Sequence, residues 1–254
     1  MSFHIIIPAR YASSRLPGKP LLLIGDKPML QHVYERAAEC GADSVVVATD
    51  DQRIADAVEG FGGKVCMTSA HHQSGTERLT ETAQLLGLAD DAVVVNLQGD
   101  EPLMPPELLH QVAALLDDAK HADMATLSTR IHIAAELFDP HVVKVISDSR
   151  GKALYFSRAV IPWDRDAFAV TTEELPQAAI HYRHLGIYAY RVGYLKTYVT
   201  LAPCDLERME SLEQLRVLWH GGTIQVAEAS RIPGPGVDTE EDLERVRKIL
   251  ESVQ

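Results

Sequence analysis

Short β-branched runs alternate with amphipathic segments along the first half of the chain. The runs are apolar on both faces, as the buried strands of a parallel sheet are. Strands are predicted at residues 3–7, 45–48, 65–67 and 92–97, and helices at 28–39, 54–58, 77–86 and 108–116. Asp50 or Asp51 is expected to cap the second of these helices. Strand–helix alternation with short connections predicts right-handed βαβ units and a parallel sheet.

The second half of the chain has strand-like segments without regular helices between them. These strands are predicted at 124–131, 142–146, 153–156, 185–190 and 223–226. One amphipathic helix is predicted over 206–219, and a last helix over 239–250 starts with Thr239 and Asp242 in capping-box spacing. Residues 166–180 are predicted to form a loop. We expect a mixed, partly antiparallel extension of the sheet, within one domain that carries a lobe.

Composition and charge fit an ordinary soluble globular protein. The 254 residues are 46% hydrophobic, and 24 basic against 36 acidic side chains give a formal net charge of −12. The length fits one large α/β domain or two small ones. An acidic protein is not expected to bind nucleic acid non-specifically, because a polyanion is attracted by basic surface.

The sequence gives no sign of a membrane or of an oxidising compartment. No run approaches the roughly 18 apolar residues that a membrane helix needs. The apolar stretch 5–7 stops at Pro8 and lacks a basic region before it, so no signal peptide is predicted. Cys40, Cys66 and Cys204 lack CxxC spacing and are expected to be small buried side chains in a reducing environment. We therefore expect a cytoplasmic protein.

The loop after the first strand holds Arg10, Arg15 and Lys19 before the first carboxylate of the chain, Asp26. Ligands of open α/β sheets bind outside the carboxyl ends of the strands. Arg offers paired donors and Lys a mobile charge, so this loop favours a polyphosphate ligand. The alternative is a solvated basic loop.

Two known phosphate-binding patterns do not match this loop. A P-loop needs Gly at position 13 and Ser or Thr at 20, where this chain has Ser13 and Pro20. No G-x-G-x-x-G pattern follows the first strand, which disfavours a dinucleotide. The loop is therefore not a Walker A loop, and a phosphate ligand, if bound here, would be held in another way.

Acidic residues occur at two further places, one of which lies at the ligand edge of the predicted sheet. Asp100 and Glu101 follow the strand at 92–97, and Asp238 precedes the last helix. Mg²⁺ binds one or two carboxylates together with substrate phosphates, so Asp100 and Asp238 are candidate metal ligands. A turn at 99–102 and a helix cap at Asp238 are the alternatives.

Further polar candidates have ordinary structural alternatives. Ser74 or Thr76 is as well suited to cap the helix at 77–86 as to approach a base or ribose, with Arg78 pointing back. Arg158 and His184 have the chemistry to bind an acidic sugar, although a lone His is more often structural. Glu210 and Glu213 are by default the solvated face of the helix at 206–219.

Eight motifs together resemble the 3-deoxy-manno-octulosonate cytidylyltransferase family, the CMP-KDO synthetases. They are IPARYASSRLPGKP (7–20), HQSGTER (72–78), NLQGDEP (96–102), ALYFSR (153–158), IPWDR (161–165), RHLGIY (183–188), LEQLR (212–216) and GVDT (236–239). The first motif is shared with other sugar nucleotidyltransferases, whereas IPWDR and RHLGIY are more specific. The chain departs from the family near Asp205, where Pro is usual, and in the loop 166–180.

The resemblance implies the fold class α/β, a three-layer α/β/α Rossmann-like nucleotide-diphospho-sugar transferase fold. The mainly parallel sheet would carry a smaller mixed sugar-binding and dimerisation lobe. In a single domain of residues 1–254, about 1–130 would bind CTP, 131–230 would form the lobe, and 231–254 would provide a metal-ligand loop and helix. A cytoplasmic homodimer with no nucleic-acid or membrane partner is also implied.

The implied reaction transfers CMP from CTP to the anomeric hydroxyl of 3-deoxy-D-manno-octulosonate (KDO) and releases pyrophosphate. It uses Mg²⁺ and serves lipopolysaccharide biosynthesis. Another CMP-activating synthetase, for 8-amino-KDO or sialic acid, is the near alternative. A non-catalytic nucleotide-sensing module on the same fold is the alternative from another class.

The resemblance also implies roles for individual residues. Catalytic roles are implied for Arg10, Lys19 and Asp100. CTP binding is implied for Ala9, Arg10, Arg15, Lys19, Ser74, Gly75, Arg78 and Asp100. Sugar binding is implied for Gln98, Arg158, His184, Tyr188 and Glu213, and Mg²⁺ binding for Asp100 and Asp238.

Overall fold

The computed structural model describes residues 1–12, 16–72, 74–176, 178 and 180–252. Its strands are β1 (His4–Pro8), β2 (Leu23–Ile24), β3 (Lys27–Pro28), β4 (Ser44–Thr49), β5 (Val65–Met67), β6 (Val93–Asn96), β7 (Met124–Arg130), β8 (Lys144–Ser147), β9 (Ala153–Ser157), β10 (Tyr182–Arg191) and β11 (Ile224–Glu228). Its helices are α1 (Met29–Ala38), α2 (Gln52–Gly60), α3 (Gly75–Leu85), α4 (Pro106–Asp118), α5 (Ala134–Phe138), α6 (Val192–Tyr198), α7 (Asp205–Glu210), α8 (Gln214–Trp219) and α9 (Glu240–Glu251).

The central sheet has the strand order β11-β7-β10-β6-β1-β4-β5. The sheet strands from the first half of the chain are parallel to one another. β1 pairs in parallel with β4 and β6, and β4 pairs in parallel with β5. β10 is antiparallel to both β6 and β7, and β8 and β9 add an antiparallel extension to β10. The predicted parallel sheet and its mixed extension are both confirmed.

Apolar side chains fill both faces of the sheet. On β1, Ile5 and Ile7 pack on one face with the core that includes Leu30 of α1 and Leu108 of α4. Ile6 points to the other face, as the pleat requires, and packs with the core that includes Leu79 of α3. Helices on both faces give the three-layer arrangement, so the expected fold class is confirmed.

The predicted helix at 206–219 is wrong, since this segment forms two short helices, α7 and α8. Ser211 lies between them with φ of 52°, and it is the one non-glycine residue with positive φ in the described part of the chain. The apolar spacing of the segment continues across this break, so the pattern could not reveal it. Two other short helices, α5 and α6, were not predicted.

The predicted helix caps are present. Thr239 and Asp242 form the expected capping box at the start of α9. Of the two candidate caps for α2, Asp51 is the one whose side chain accepts a hydrogen bond from the backbone of Arg53, at 3.0 Å. Of the three free cysteines, Cys204 is buried as expected, whereas Cys40 and Cys66 are half-buried.

The topology brings several loops to one edge of the sheet. β1 and β6 end there because they are parallel neighbours, and the first half of β10 reaches the same edge because it runs the opposite way. The segment before α9 joins them, as the backbone of Val237 donates a hydrogen bond to the carbonyl of Asp100 at 2.9 Å. Among the residues that the structure describes, no helix has the length and apolar composition to cross a lipid bilayer.

Candidate active site

Lys19 and two aspartates meet where these loops converge. The Lys19 Nζ donates to Oδ2 of Asp100 at 2.7 Å, to the carbonyl of Val237 at 2.8 Å and to Oδ1 of Asp238 at 3.2 Å. One ammonium therefore bridges two carboxylates that lie far apart in the sequence. The predicted proximity of Asp100 and Asp238 is present in the fold.

The donor set of this cluster fits Mg²⁺. Two carboxylates converge on one cation, and Mg²⁺ is held in this way by one or two carboxylates with phosphates and water. No group of three or more His, Cys, Asp or Glu side chains is placed to hold a metal ion within the described residues.

Glu101 lies beside the pair and was not predicted as a site residue. Burial, together with the charge of the neighbouring Asp100, raises the pKa of the Glu101 carboxyl to about 7. Gly236 is required here, because a Cβ at that position would lie 2.9 Å from the Glu101 Oε1. In the segment 236–239, Gly236 therefore packs against Glu101, and Asp238 contacts Lys19.

A cavity of about 360 Å³ opens next to this cluster. Ala9, Arg10, Lys19, Gln98 and Asp100 are among its lining residues. The Nη2 of Arg10 is buried and has no hydrogen-bond partner in the part of the chain that the structure describes. A buried donor without a partner is costly, so a bound anion would satisfy it. Arg15, the third cation predicted for this loop, lies outside the described residues.

Tyr11 and Gly18 shape the loop that carries Lys19. Gly18 has φ of +69°, and a Cβ there would lie 3.2 Å from the Tyr11 ring. The Arg53 guanidinium lies 3.3 Å from the centroid of the same ring and is paired through two nitrogens with Asp51. Glycine is the residue that fits this turn, because it accepts the positive φ and leaves room for the ring.

The start of α3 agrees with the structural alternative for Ser74. The Ser74 Oγ accepts a hydrogen bond from the backbone of Glu77 at 3.2 Å and so caps the helix. Arg78 is only 1% exposed, pairs with Asp50 at 3.0 Å and donates to Thr68. Gly75 lines the second cavity, described next. The cytidine-binding roles implied for Ser74, Gly75 and Arg78 stay predictions.

A second cavity of about 370 Å³ lies against β10. Four of the five residues expected to bind sugar line it, namely Gln98, His184, Tyr188 and Glu213. Gln98 also lines the first cavity, so the two cavities share a wall. Glu213, by default assigned to a solvated helix face, instead faces this cavity at the break between α7 and α8.

Burial determines the protonation states of His184 and Tyr188, two aromatic residues that line this cavity. The ring of His184 is within hydrogen-bond distance of the Thr126 Oγ1, at 2.9 Å, and burial lowers the pKa of His184 to about 3. Burial also raises the pKa of the Tyr188 hydroxyl above its ordinary value. Both side chains are therefore neutral near pH 7, and they act as hydrogen-bonding groups rather than charges.

Arg158, the fifth residue expected to bind sugar, is not among the residues that line this cavity. Its Nε donates to the carbonyl of Glu210 at 2.6 Å and its Nη1 to the carbonyl of Pro140 at 3.0 Å. The Glu210 carboxylate accepts from the Ser157 Oγ at 2.7 Å and from the Arg158 backbone at 2.9 Å, so the default solvated-face interpretation of Glu210 is wrong. The implied role of Arg158 in sugar binding stays a prediction.

Several residues of the second cavity were not predicted to take part in the site. They are Thr76, Asn96, Arg183, Tyr190, Tyr198 and Gln214. Most of them lie within or beside the quoted motifs, which is the one signal that the sequence offered. Which of them face the cavity depends on the register of β10 against β6 and on the break at Ser211.

Comparisons with known proteins agree with this geometry. A family model described as cytidylyltransferase matches residues 4–228. The 3-deoxy-manno-octulosonate cytidylyltransferase of Vibrio vulnificus strain YJ016 is 60% identical over 250 residues, which cover 98% of each chain. The protein of the same name from Pseudomonas fluorescens strain Pf-5 is 58% identical over 251 residues, which cover 99% of each.

Solved structures are similar over the same length. The structure of a CMP:2-keto-3-deoxy-manno-octonic acid synthetase complexed with CTP matches with a TM-score of 0.91 and 45% identity, and covers all of both chains (100% of each). A cytidylyltransferase from Leptospira borgpetersenii matches with a TM-score of 0.62 and 19% identity, over 99% of this chain and 87% of the other. The second likeness concerns the fold alone.

Proposed function

The chain belongs to the 3-deoxy-manno-octulosonate cytidylyltransferase family, and from this membership we propose that it transfers CMP from CTP to the anomeric hydroxyl of KDO and releases pyrophosphate. One observation supports this most directly. A cation-lined cavity with Arg10 and Lys19 shares Gln98 with a cavity that holds His184 and Glu213. A triphosphate in the first cavity and a polyhydroxylated sugar in the second would thus lie on either side of Gln98. The product would serve lipopolysaccharide biosynthesis.

The chemistry is an in-line displacement at the α-phosphorus of CTP. The anomeric oxygen forms the new bond to phosphorus, and the bond to the pyrophosphate oxygen breaks. The protein has little covalent work to do, so its contribution is position and charge. Arg10 and Lys19 would bind the triphosphate and stabilise the charge that develops on pyrophosphate. Lys19 already makes three contacts, so it exchanges at least one of them when it binds a phosphate oxygen.

Asp100 and Asp238 would hold Mg²⁺ in this site. A metal bound there would neutralise charge on the phosphates and would lower the pKa of the attacking hydroxyl. On the sugar side, Gln98, His184, Tyr188 and Glu213 offer neutral and anionic partners for hydroxyl groups. Arg158 or Arg183 carries the charge that suits the carboxylate of the sugar.

The choice of sugar is tested by pyrophosphate release from CTP with KDO, 8-amino-KDO and sialic acid in parallel. We expect KDO to be turned over with the highest kcat/KM, because the motifs 161–165 and 183–188 are those of the KDO enzyme. Turnover of sialic acid without turnover of KDO would contradict the proposal. CTP binding without any turnover would instead indicate a nucleotide-sensing module.

Removal of divalent metal is expected to abolish turnover. Without Mg²⁺, the negative charges of Asp100, Asp238 and the triphosphate repel one another at the point of reaction. We expect EDTA to stop pyrophosphate release and excess Mg²⁺ to restore it. A rate in EDTA above one tenth of the rate in Mg²⁺ would remove the metal from the mechanism.

A cytoplasmic homodimer completes the proposal. The three free cysteines support a reducing compartment. Large apolar side chains are exposed on the lobe at 131–230, among them Ile133 (61%), Trp163 (55%) and Ile180 (63%). Such a surface is suited to cover by a second subunit.

A further inference from the structure

Thr76 links the first turn of α3 to the second cavity. Its Oγ1 donates a hydrogen bond to the Glu213 Oε2 at 3.1 Å. Both residues line the same cavity, and Thr76 is only 4% exposed. Thr76 follows Ser74 and Gly75 directly, so it lies at the start of the helix that borders the nucleotide side. The bond therefore spans 137 positions of sequence and two parts of the site.

The position of Thr76 is fixed independently of Glu213. The Ser74 side chain caps α3, and the Thr80 Oγ1 donates to the carbonyl of Thr76 at 2.8 Å within the same helix. Glu213 follows the break at Ser211 and precedes a helix of six residues. Its backbone carbonyl accepts from the Tyr198 hydroxyl at 3.4 Å, whereas its carboxylate accepts from Thr76. The Thr76 hydroxyl, which its helix holds in place, therefore positions the Glu213 carboxylate.

We propose that Thr76 is a positioning residue for the sugar, whose hydroxyl orients the Glu213 carboxylate in the second cavity. The proposal rests on the proposed function for the identity of the sugar. Glu213 would accept hydrogen bonds from sugar hydroxyls, and Thr76 occupies one of its lone pairs so that the remaining ones face the cavity. Loss of the Thr76 hydroxyl leaves Glu213 free to rotate and to take up a proton.

The surroundings of Glu213 make its ionisation dependent on this contact. Burial raises the pKa of the Glu213 carboxyl, whereas the Thr76 hydrogen bond and the charge of Arg216 lower it. The other titratable groups that face Glu213 are Glu77 of α3, Glu207 of α7, Tyr198 of α6, and Tyr188 and Tyr190 of β10. Two of these groups, Glu77 and Glu207, are carboxylates whose charge opposes ionisation of Glu213.

Three substitutions in the full-length protein test the role. Thr76→Val removes the hydroxyl at nearly constant volume, and Thr76→Ser keeps it. Thr82→Val is the matched control, because Thr82 is buried in the same helix but its Oγ1 donates to the carbonyl of Arg78 at 2.9 Å. Thermal unfolding of each variant reports any general loss of stability, and Thr76→Ala replaces Thr76→Val if the latter does not fold.

We expect Thr76→Val to raise the KM for KDO about tenfold, the effect of a hydrogen bond to a charged group, with less than a twofold change in the KM for CTP. The acid limb of kcat/KM for KDO should move to higher pH, because the carboxylate protonates more easily. Thr76→Ser and Thr82→Val should stay within twofold of the wild type. Equal rises in both KM values, a Thr76→Ser variant as impaired as Thr76→Val, or the same shift in Thr82→Val would each overturn the proposal.

A measurement without substrate separates this inference from the proposed function. Glutamate labelled with ¹³C at the carboxyl carbon, with Glu213 identified by its loss in Glu213→Gln, gives the pKa of Glu213 directly. Thr76→Val should raise that pKa and Thr76→Ser should not; an unchanged pKa in Thr76→Val would overturn the link. If the wild type does not turn over KDO, the proposed function fails while this titration still decides on Thr76.

Discussion

Asp100→Ala is expected to lower turnover at least a thousandfold while the protein stays folded. Asp100 receives the shortest contact of Lys19 and shares that ammonium with Asp238, so it lies where charge is balanced during phosphoryl transfer. Loss of one preorganised electrostatic partner in such a site costs about 4 kcal/mol of transition-state stabilisation. The ion pair itself is partly exposed, so its loss changes the free energy of unfolding by only about 1 kcal/mol.

The measurement is the rate of pyrophosphate release together with thermal unfolding of each variant. Asp100→Asn keeps the shape and removes the charge, and it should be nearly as impaired as Asp100→Ala. Asp91→Ala is the control, since Asp91 is an exposed acid at the opposite end of the same strand segment. Retention of more than one tenth of the wild-type rate in Asp100→Ala would remove this carboxylate from the mechanism.

Lys19→Met is expected to cost at least about 3 kcal/mol of transition-state stabilisation, or roughly a hundredfold in kcat/KM. The methylene chain is kept, so the change isolates the ammonium that bridges Asp100 and Asp238. Those two carboxylates then repel each other and any incoming triphosphate. The loss should fall on kcat as well as on the KM for CTP, because pyrophosphate gains charge as it departs.

Steady-state kinetics with CTP varied at saturating KDO separates these two effects. Lys27→Met is the matched control, because Lys27 is also paired with a carboxylate, Glu35 at 2.9 Å, but lies outside the two cavities. An unchanged kcat with a raised KM for CTP would make Lys19 a binding residue only. A normal kcat/KM would exclude it from both roles.

The nucleotide side of the site could largely be predicted from the sequence. Buried β-branched runs fix where parallel strands lie, and the ends of those strands fix where loops meet. Lys19 and Asp100 were therefore expected near one another, whereas Asp238 was expected there mainly through the family resemblance, and the structure brings all three together. On this side of the site, the positions of the strands in the sequence are enough to locate the loops in the fold.

The sugar side could be predicted only in part. The apolar spacing at 206–219 is that of a helix, and one residue with positive φ, Ser211, divides it without changing the spacing. Arg158 has the charge for an acidic ligand, yet its guanidinium is held by two backbone carbonyls. Thr76 was expected to cap a helix or to approach a base or ribose, and its contact with Glu213 was not expected. The directions in which these side chains point depend on tertiary packing, so they cannot be predicted from hydropathy and charge along the chain.

The division at Ser211 makes the acceptor side of this protein separable from its catalytic loops. α7 and α8 are six residues each and belong to no strand of the sheet, whereas Lys19 and Asp100 lie in loops at the ends of central strands. Diversifying residues 209–214 would therefore reshape the choice of acceptor with the phosphate machinery left intact. This short segment is the natural starting point for engineering the enzyme to accept unnatural acidic sugars.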